Sequence, residues 1–185
     1  MLRLAVLAAC AAACVLLASS APVVADDTTL NVKVGDKFPD VPLAAAQIEK
    51  VKKDAKTVSI SDLKGKVVVI FFYPKALTPG CTVESCGFRD IAKEFPENVV
   101  LLGASGDDVA LQQKFIDKEK LPMALLADSD QKLIKELGIL SSPGGKTSKR
   151  VTFVVDKEGK IVKIYDKVTP KDHPKEVLEF VKTVK

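Results

Sequence analysis

Residues 67–73, Val-Val-Val-Ile-Phe-Phe-Tyr, form a continuous apolar run of β-forming side chains. Such a run predicts a strand covered on both faces, as inside a parallel sheet. A helix is predicted over 82–95 and a second strand over 99–105. Residues 109–120 carry apolar positions at helical spacing, with Asp107 or Asp108 able to cap the first turn. A short strand follows at 124–127, then a helix at 131–137 that Gly138 stops. Strands at 150–155 and 160–166 are joined by Asp156-Lys157-Glu158-Gly159, a hairpin signal, and 174–185 predict a closing helix.

Upstream the pattern is weaker. Residues 34–42 read as an extended lead-in punctuated by Gly35 and Pro39, and 44–53 as a short surface helix or irregular excursion. Residues 57–60 alternate like a short strand, and 61–65 read as a turn. Strands alternating with helices, ending in a hairpin and a helix, predict one α/β domain with a mixed sheet.

The first 25 residues stand apart. Arg3 gives a positive start, 4–17 are an Ala/Leu/Val/Cys stretch, and Val23-Val24-Ala25 precedes Asp26-Asp27 like a cleavage site. That layout predicts a secretory signal peptide over 1–25 and a folded domain over 26–185. Export to a periplasm or another extracytoplasmic or lumenal space is expected, with a lipid-anchored form at Cys10 as the lesser alternative. Without the leader, the 28 Lys+Arg lose Arg3 and stand at 27 against 24 Asp+Glu, and Cys81 and Cys86 are the cysteines that remain. So small and dispersed an excess argues against nucleic-acid binding.

The two cysteines carry the chemistry. Cys81 follows the 67–73 strand through Pro74-Lys75-Ala76-Leu77-Thr78-Pro79-Gly80, at a strand-to-helix junction. A helix N-terminus offers unpaired N–H donors and the positive end of the dipole, which favour thiolate, the nucleophilic form. Cys86 is its candidate partner. On a helix, residues five apart are separated by about 7.5 Å of rise and about 140°. Their Cα atoms then lie about 8–9 Å apart, beyond the roughly 4.4–6.8 Å a disulfide tolerates. A Cys81–Cys86 bond therefore requires the first turns of that helix to unwind.

These residues, with their neighbours, resemble a known family. Phe72-Tyr73-Pro74-Lys75, then Thr78-Pro79-Gly80-Cys81-Thr82-Val83-Glu84-Ser85-Cys86-Gly87-Phe88-Arg89-Asp90, and later Arg150-Val151-Thr152-Phe153-Val154-Val155-Asp156, are similar to peroxiredoxins of the peroxiredoxin Q type, also called bacterioferritin comigratory proteins. The resemblance runs from Val34 to the C-terminus and implies a thioredoxin-like fold. It also implies a thiol-dependent peroxidase acting on hydrogen peroxide and organic hydroperoxides. Cys81 would be the peroxidatic cysteine, in a pocket shaped by Pro74, Thr78 and Arg150. Cys86 would resolve its sulfenic acid as an intramolecular disulfide, and a thioredoxin-like protein would reduce that disulfide. No cofactor is implied, and a monomer or weak dimer is expected. Ala76-Leu77 departs from the family, which often carries an acidic residue there, and 44–56 is longer than usual.

Other residues read more plainly. Glu84 is read as a first-turn helix stabiliser and His173 as a turn or cap residue. Cys81, Cys86 and His173 lack the spacing and the fourth ligand of a zinc site. Gly144-Gly145-Lys146-Thr147 lacks the earlier glycine of a phosphate loop, because Leu140 stands there. Two rival functions stay open: a thiol–disulfide oxidoreductase, against which the absence of Cys-x-x-Cys counts, and a non-enzymatic redox sensor.

Overall fold

A computed structural model describes residues 30–184. The expected signal peptide, with Cys10 and Cys14, lies outside the described residues. The elements in chain order are β1 (Ala44–Ala46), β2 (Val67–Phe72), α1 (Pro79–Ile91), β3 (Val99–Ser105), α2 (Val109–Glu119), β4 (Ala124–Ala127), α3 (Lys132–Leu137), β5 (Val151–Val155), β6 (Ile161–Tyr165) and α4 (His173–Val181). Six strands form one mixed sheet in the order β1-β4-β3-β2-β5-β6. The β2, β3 and β4 strands run parallel, and β5, β6 and β1 are antiparallel to their neighbours.

The uniformly apolar β2 sits in the middle because both of its faces are covered. Val67, Val69 and Phe71 point into one core with Phe88 of α1, Phe115 of α2 and Val177 of α4. Val68, Ile70 and Phe72 point into the other, with Leu133 and Ile134 of α3 and with Phe38, Leu43 and Leu63. This period-2 split makes the sheet the middle layer of a three-layer α/β domain, as the pattern predicted.

Three upstream expectations are corrected. Residues 44–53 open as a strand, β1, which completes the sheet edge beside β4, and continue as a 3₁₀ turn at Ile48–Lys50. The strand expected at 57–60 is a single bridge between Leu43 and Val58. The chain then turns into a 3₁₀ helix at Ile60–Leu63, where Ser59 and Asp62 form a capping box.

The helix expected at 82–95 begins three residues earlier, at Pro79, and gives way to a 3₁₀ turn at Ala92–Glu94. Proline is favoured at the first helical position, where its missing N–H costs nothing, so Pro79 starts α1 rather than preceding it. Phe88 anchors this helix: its ring stacks on Phe71 with centroids 4.5 Å apart. Burying such a ring contributes about 2–3 kcal/mol. Gly87 lets α4 approach, since a Cβ there would fall 2.8 Å from Pro174 Cγ.

Candidate active site

The segment between β2 and α1 leaves the carboxyl ends of the parallel strands, where open α/β sheets place their ligand crevices. A chain of buried polar contacts fixes it. Tyr73 Oη donates to Gln112 Oε1, while Gln112 Nε2 donates to Ser105 Oγ at 2.9 Å and to the Leu126 carbonyl at 3.0 Å. Ser105 Oγ in turn donates to Asp107 Oδ2 at 2.8 Å, and that oxygen also accepts from the Ala76 N–H at 2.7 Å. Burial pushes the Tyr73 phenol well above its usual range, so it stays a proton donor. From the other side Ser148 Oγ donates to the Tyr73 carbonyl at 3.0 Å. Leu77 takes a left-handed conformation, φ 64°, and turns the chain toward α1.

Cys81 therefore lies in the first turn of α1, third after the N-cap Thr78, and only 1% of its surface is exposed. Its sulfur faces Arg150, whose Nη2 lies 3.3 Å from Sγ. Gly80 leaves the guanidinium room, because a Cβ there would stand 3.4 Å from Nη2. A fixed cation, the helix N-terminus and a dry surround all act on one sulfur. The guanidinium and the helix N-terminus both place positive charge beside that sulfur.

Glu84, read from sequence as a first-turn helix stabiliser, stands beyond the first turn because α1 begins at Pro79. It is fully buried one turn after Cys81, and its Oε2 accepts from Arg150 Nη1. The planar fork of Arg150 thus serves a sulfur and a carboxyl oxygen at once, which a lysine ammonium does less well. Burial pushes the Glu84 carboxyl up to about 7 against the opposing pull of Arg150. The sign follows from linkage. A carboxyl raised above its unfolded value adds stability that is fully present below about pH 4.5 and is lost as pH climbs toward 7. Glu84→Gln removes this titration. The melting temperature of wild type is expected to fall against Glu84→Gln between pH 4.5 and 7, by the equivalent of roughly 1–3 kcal/mol. Parallel melting curves across that window check it.

The other expected site residues are placed differently. Thr78 is the N-cap of α1 by backbone, yet its hydroxyl donates to the Lys75 carbonyl at 2.9 Å instead of capping the helix. Pro74, half-buried, follows Tyr73 at the start of the loop. Cys86 sits farther along α1 as a free thiol, its sulfur 3.6 Å from Glu119 Oε2. Cys81 and Arg150 are brought together, and Cys86 is held apart from them.

His173 is also corrected. It opens α4, but its ring is buried between Phe88 and Tyr165, with Nε2 2.7 Å from Thr152 Oγ1. Burial, with Arg150 adding to it, lowers its pKa to about 4, so it is neutral packing under α1. Sequence reasoning missed Gln112 and Glu119, and read Asp107 only as a possible cap of α2, a place that Asp108 takes. Among the described residues no group of three or more His, Cys, Asp or Glu side chains is arranged to hold a metal ion.

The chain is similar to known proteins in both sequence and fold. The AhpC/TSA family profile matches residues 34–164. Peroxiredoxin Bcp of Bacillus subtilis (strain 168) is 40% identical over 159 residues, covering 83% of this chain and 97% of that protein. Chloroplastic peroxiredoxin Q of Triticum aestivum is 40% identical over 134 residues, covering 71% of this chain and 62% of that protein. Among solved structures, the peroxidoxin BcpB of Mycobacterium tuberculosis superposes with a TM-score of 0.72 at 32% identity, over 83% of this chain and 99% of that one. The Xanthomonas campestris bacterioferritin comigratory protein, whose structures include trapped intermediate and ligand complexes bearing on alkyl peroxide reduction, gives a TM-score of 0.70 at 26% identity. That match covers 82% of this chain and 96% of its own.

Proposed function

Because the chain belongs to the AhpC/TSA family, in its peroxiredoxin Q and Bcp branch, we infer that it is a thiol-dependent peroxidase whose peroxidatic group is Cys81. The observation that carries the assignment is the buried Cys81 sulfur in the first turn of α1, 3.3 Å from Arg150 Nη2.

The Cys81 thiolate attacks one peroxide oxygen. An S–O bond forms, the O–O bond breaks, and the departing alkoxide or hydroxide takes up a proton to leave as alcohol or water. Arg150 and the α1 N-terminus stabilise the negative charge as it moves from sulfur to the departing oxygen. Pro74 and Thr78 shape the turn that aims the sulfur. Cys86 then attacks the Cys81 sulfenic sulfur: an S–S bond forms, the S–O bond breaks, and hydroxide leaves as water with the Cys86 proton. A thioredoxin-like reductant supplies the two electrons that restore both thiols.

Because α1 is continuous from Pro79 to Ile91, its first turns must open before the two sulfurs meet. A resolving cysteine in the same chain needs no partner subunit, which supports a monomer or weak dimer. Export is supported by the charge and hydropathy pattern of residues 1–25. Hydroperoxide consumption with dithiothreitol or thioredoxin tests the reading. Cys86→Ser is expected to keep the first oxidation, to accumulate sulfenic acid on Cys81, and to pass to sulfinic acid as peroxide rises. Mass spectrometry reads each state. A Cys86→Ser protein that turns over with thioredoxin at the wild-type rate and never over-oxidises would remove Cys86 from the cycle.

A further inference from the structure

Cys86 is held by one end of α2. Glu119, the last residue of that helix, contacts α1 twice: its Oε2 lies 3.6 Å from the Cys86 sulfur, and its carbonyl accepts from Arg89 Nη1 at 2.7 Å. The second contact has a general cause. The closing carbonyls of a helix lack intrahelical partners and carry the negative end of the dipole, so a guanidinium belongs there. The first does not. A thiol is a weak donor, and a partly buried carboxylate aimed at it discourages its ionisation.

We propose that Glu119 is a positioning residue for the resolving step: its carboxylate latches Cys86 to the end of α2 as a thiol, and it releases Cys86 only when α1 unwinds. The proposal rests on the peroxidase reading above.

The charged groups facing Cys86 are Arg89 and Asp90 from its own helix and Glu119 from α2, with Lys118 Nζ 3.9 Å from the other Glu119 oxygen. Burial pushes the Cys86 thiol up, Arg89 opposes this, and Glu119 and Asp90 add to it. In the closed helix Cys86 is thus both distant from Cys81 and poorly nucleophilic. Unwinding α1 removes it from Glu119 and from its burial together, so it ionises most readily where it can meet the Cys81 sulfenic acid. Cys86 supplies the electron pair for the S–S bond, and its proton leaves with the Cys81 hydroxide as water. The strength of the latch then sets how long the sulfenic acid waits, and hence how much is lost to a second peroxide.

Glu119→Gln and Glu119→Ala test this in two arms. In the first, one equivalent of hydrogen peroxide is added and quenched samples are read by mass spectrometry. Conversion of sulfenic acid to disulfide is expected to run about three- to tenfold faster than in wild type, as for loss of one modest hydrogen bond. In the second, carried out in a Cys81→Ser background with no peroxide present, the pH at which Cys86 is half-alkylated by iodoacetamide is expected to fall. Faster resolution with that pH unmoved would mean a loosened helix and not a released thiol, which overturns the proposal. So does slower resolution, which would make Glu119 a base for Cys86 instead of a latch. If wild type forms no sulfenic acid at all, the peroxidase reading fails, and the alkylation arm alone still decides the Cys86–Glu119 contact.

Discussion

Cys81→Ser is expected to lower peroxide turnover by roughly 10⁴-fold or more, the scale of loss when a covalent nucleophile is removed. The substitution exchanges one atom in a buried position whose partner, Arg150 Nη2, can donate to a hydroxyl as well as to a sulfur. The fold should therefore survive, with a melting temperature within a few degrees of wild type. Serine fails because its hydroxyl is a far weaker nucleophile than a cysteine sulfur. Initial rates with hydrogen peroxide and a thiol reductant, beside a melting curve, separate lost chemistry from lost structure. Full activity in Cys81→Ser would move the reaction to Cys86, the other thiol among the described residues. It would also overturn the reading of α1 as a nucleophile-bearing helix.

How far this could be seen beforehand depended on how local each determinant is. The β2 strand and the Asp156–Gly159 hairpin carry their causes within a few residues, the one in an unbroken apolar run and the other in turn chemistry closed by Gly159 at φ 83°. Both were legible. The start of α1 was misplaced because Pro79-Gly80 resembles a break, whereas proline is tolerated in a first turn. The β1 strand is three alanines long, and only its pairing with β4, some eighty residues away, makes it a strand. Glu84 is the sharpest case. It was read as a helix stabiliser, and what it does depends on its pairing with Arg150, 66 residues later. Cys81 was legible from its place at a strand-to-helix junction, and Arg150 was found through motif likeness. The closure of the site by Gln112, Asp107 and Glu119 is a tertiary fact that no local pattern carries.

Arg150→Met is expected to cost about 10²–10³-fold in the rate of the first oxidation, the usual effect of losing one charge-stabilising donor from a dry site. Methionine fills much of the space but donates nothing. The Cys81 sulfur loses its cationic partner, and the departing oxygen loses the donor nearest to the developing charge. Arg150→Lys should fall between the two, since one ammonium cannot reproduce a fork that reaches Cys81 Sγ with Nη2 and Glu84 Oε2 with Nη1. Stability should respond to pH in a way activity does not. Removing Arg150 leaves Glu84 fully buried without the cation that opposes burial, so its carboxyl rises above the wild-type value of about 7. Below that pH the acid can remain protonated and the variant should be only mildly destabilised. Above it, an unpaired carboxylate would have to stay buried, so the loss in melting temperature relative to wild type should grow from pH 6 to pH 8. An Arg150→Lys protein as fast as wild type would refute the two-partner role of the guanidinium. A melting difference independent of pH would show that Glu84 does not depend on Arg150 for its charge.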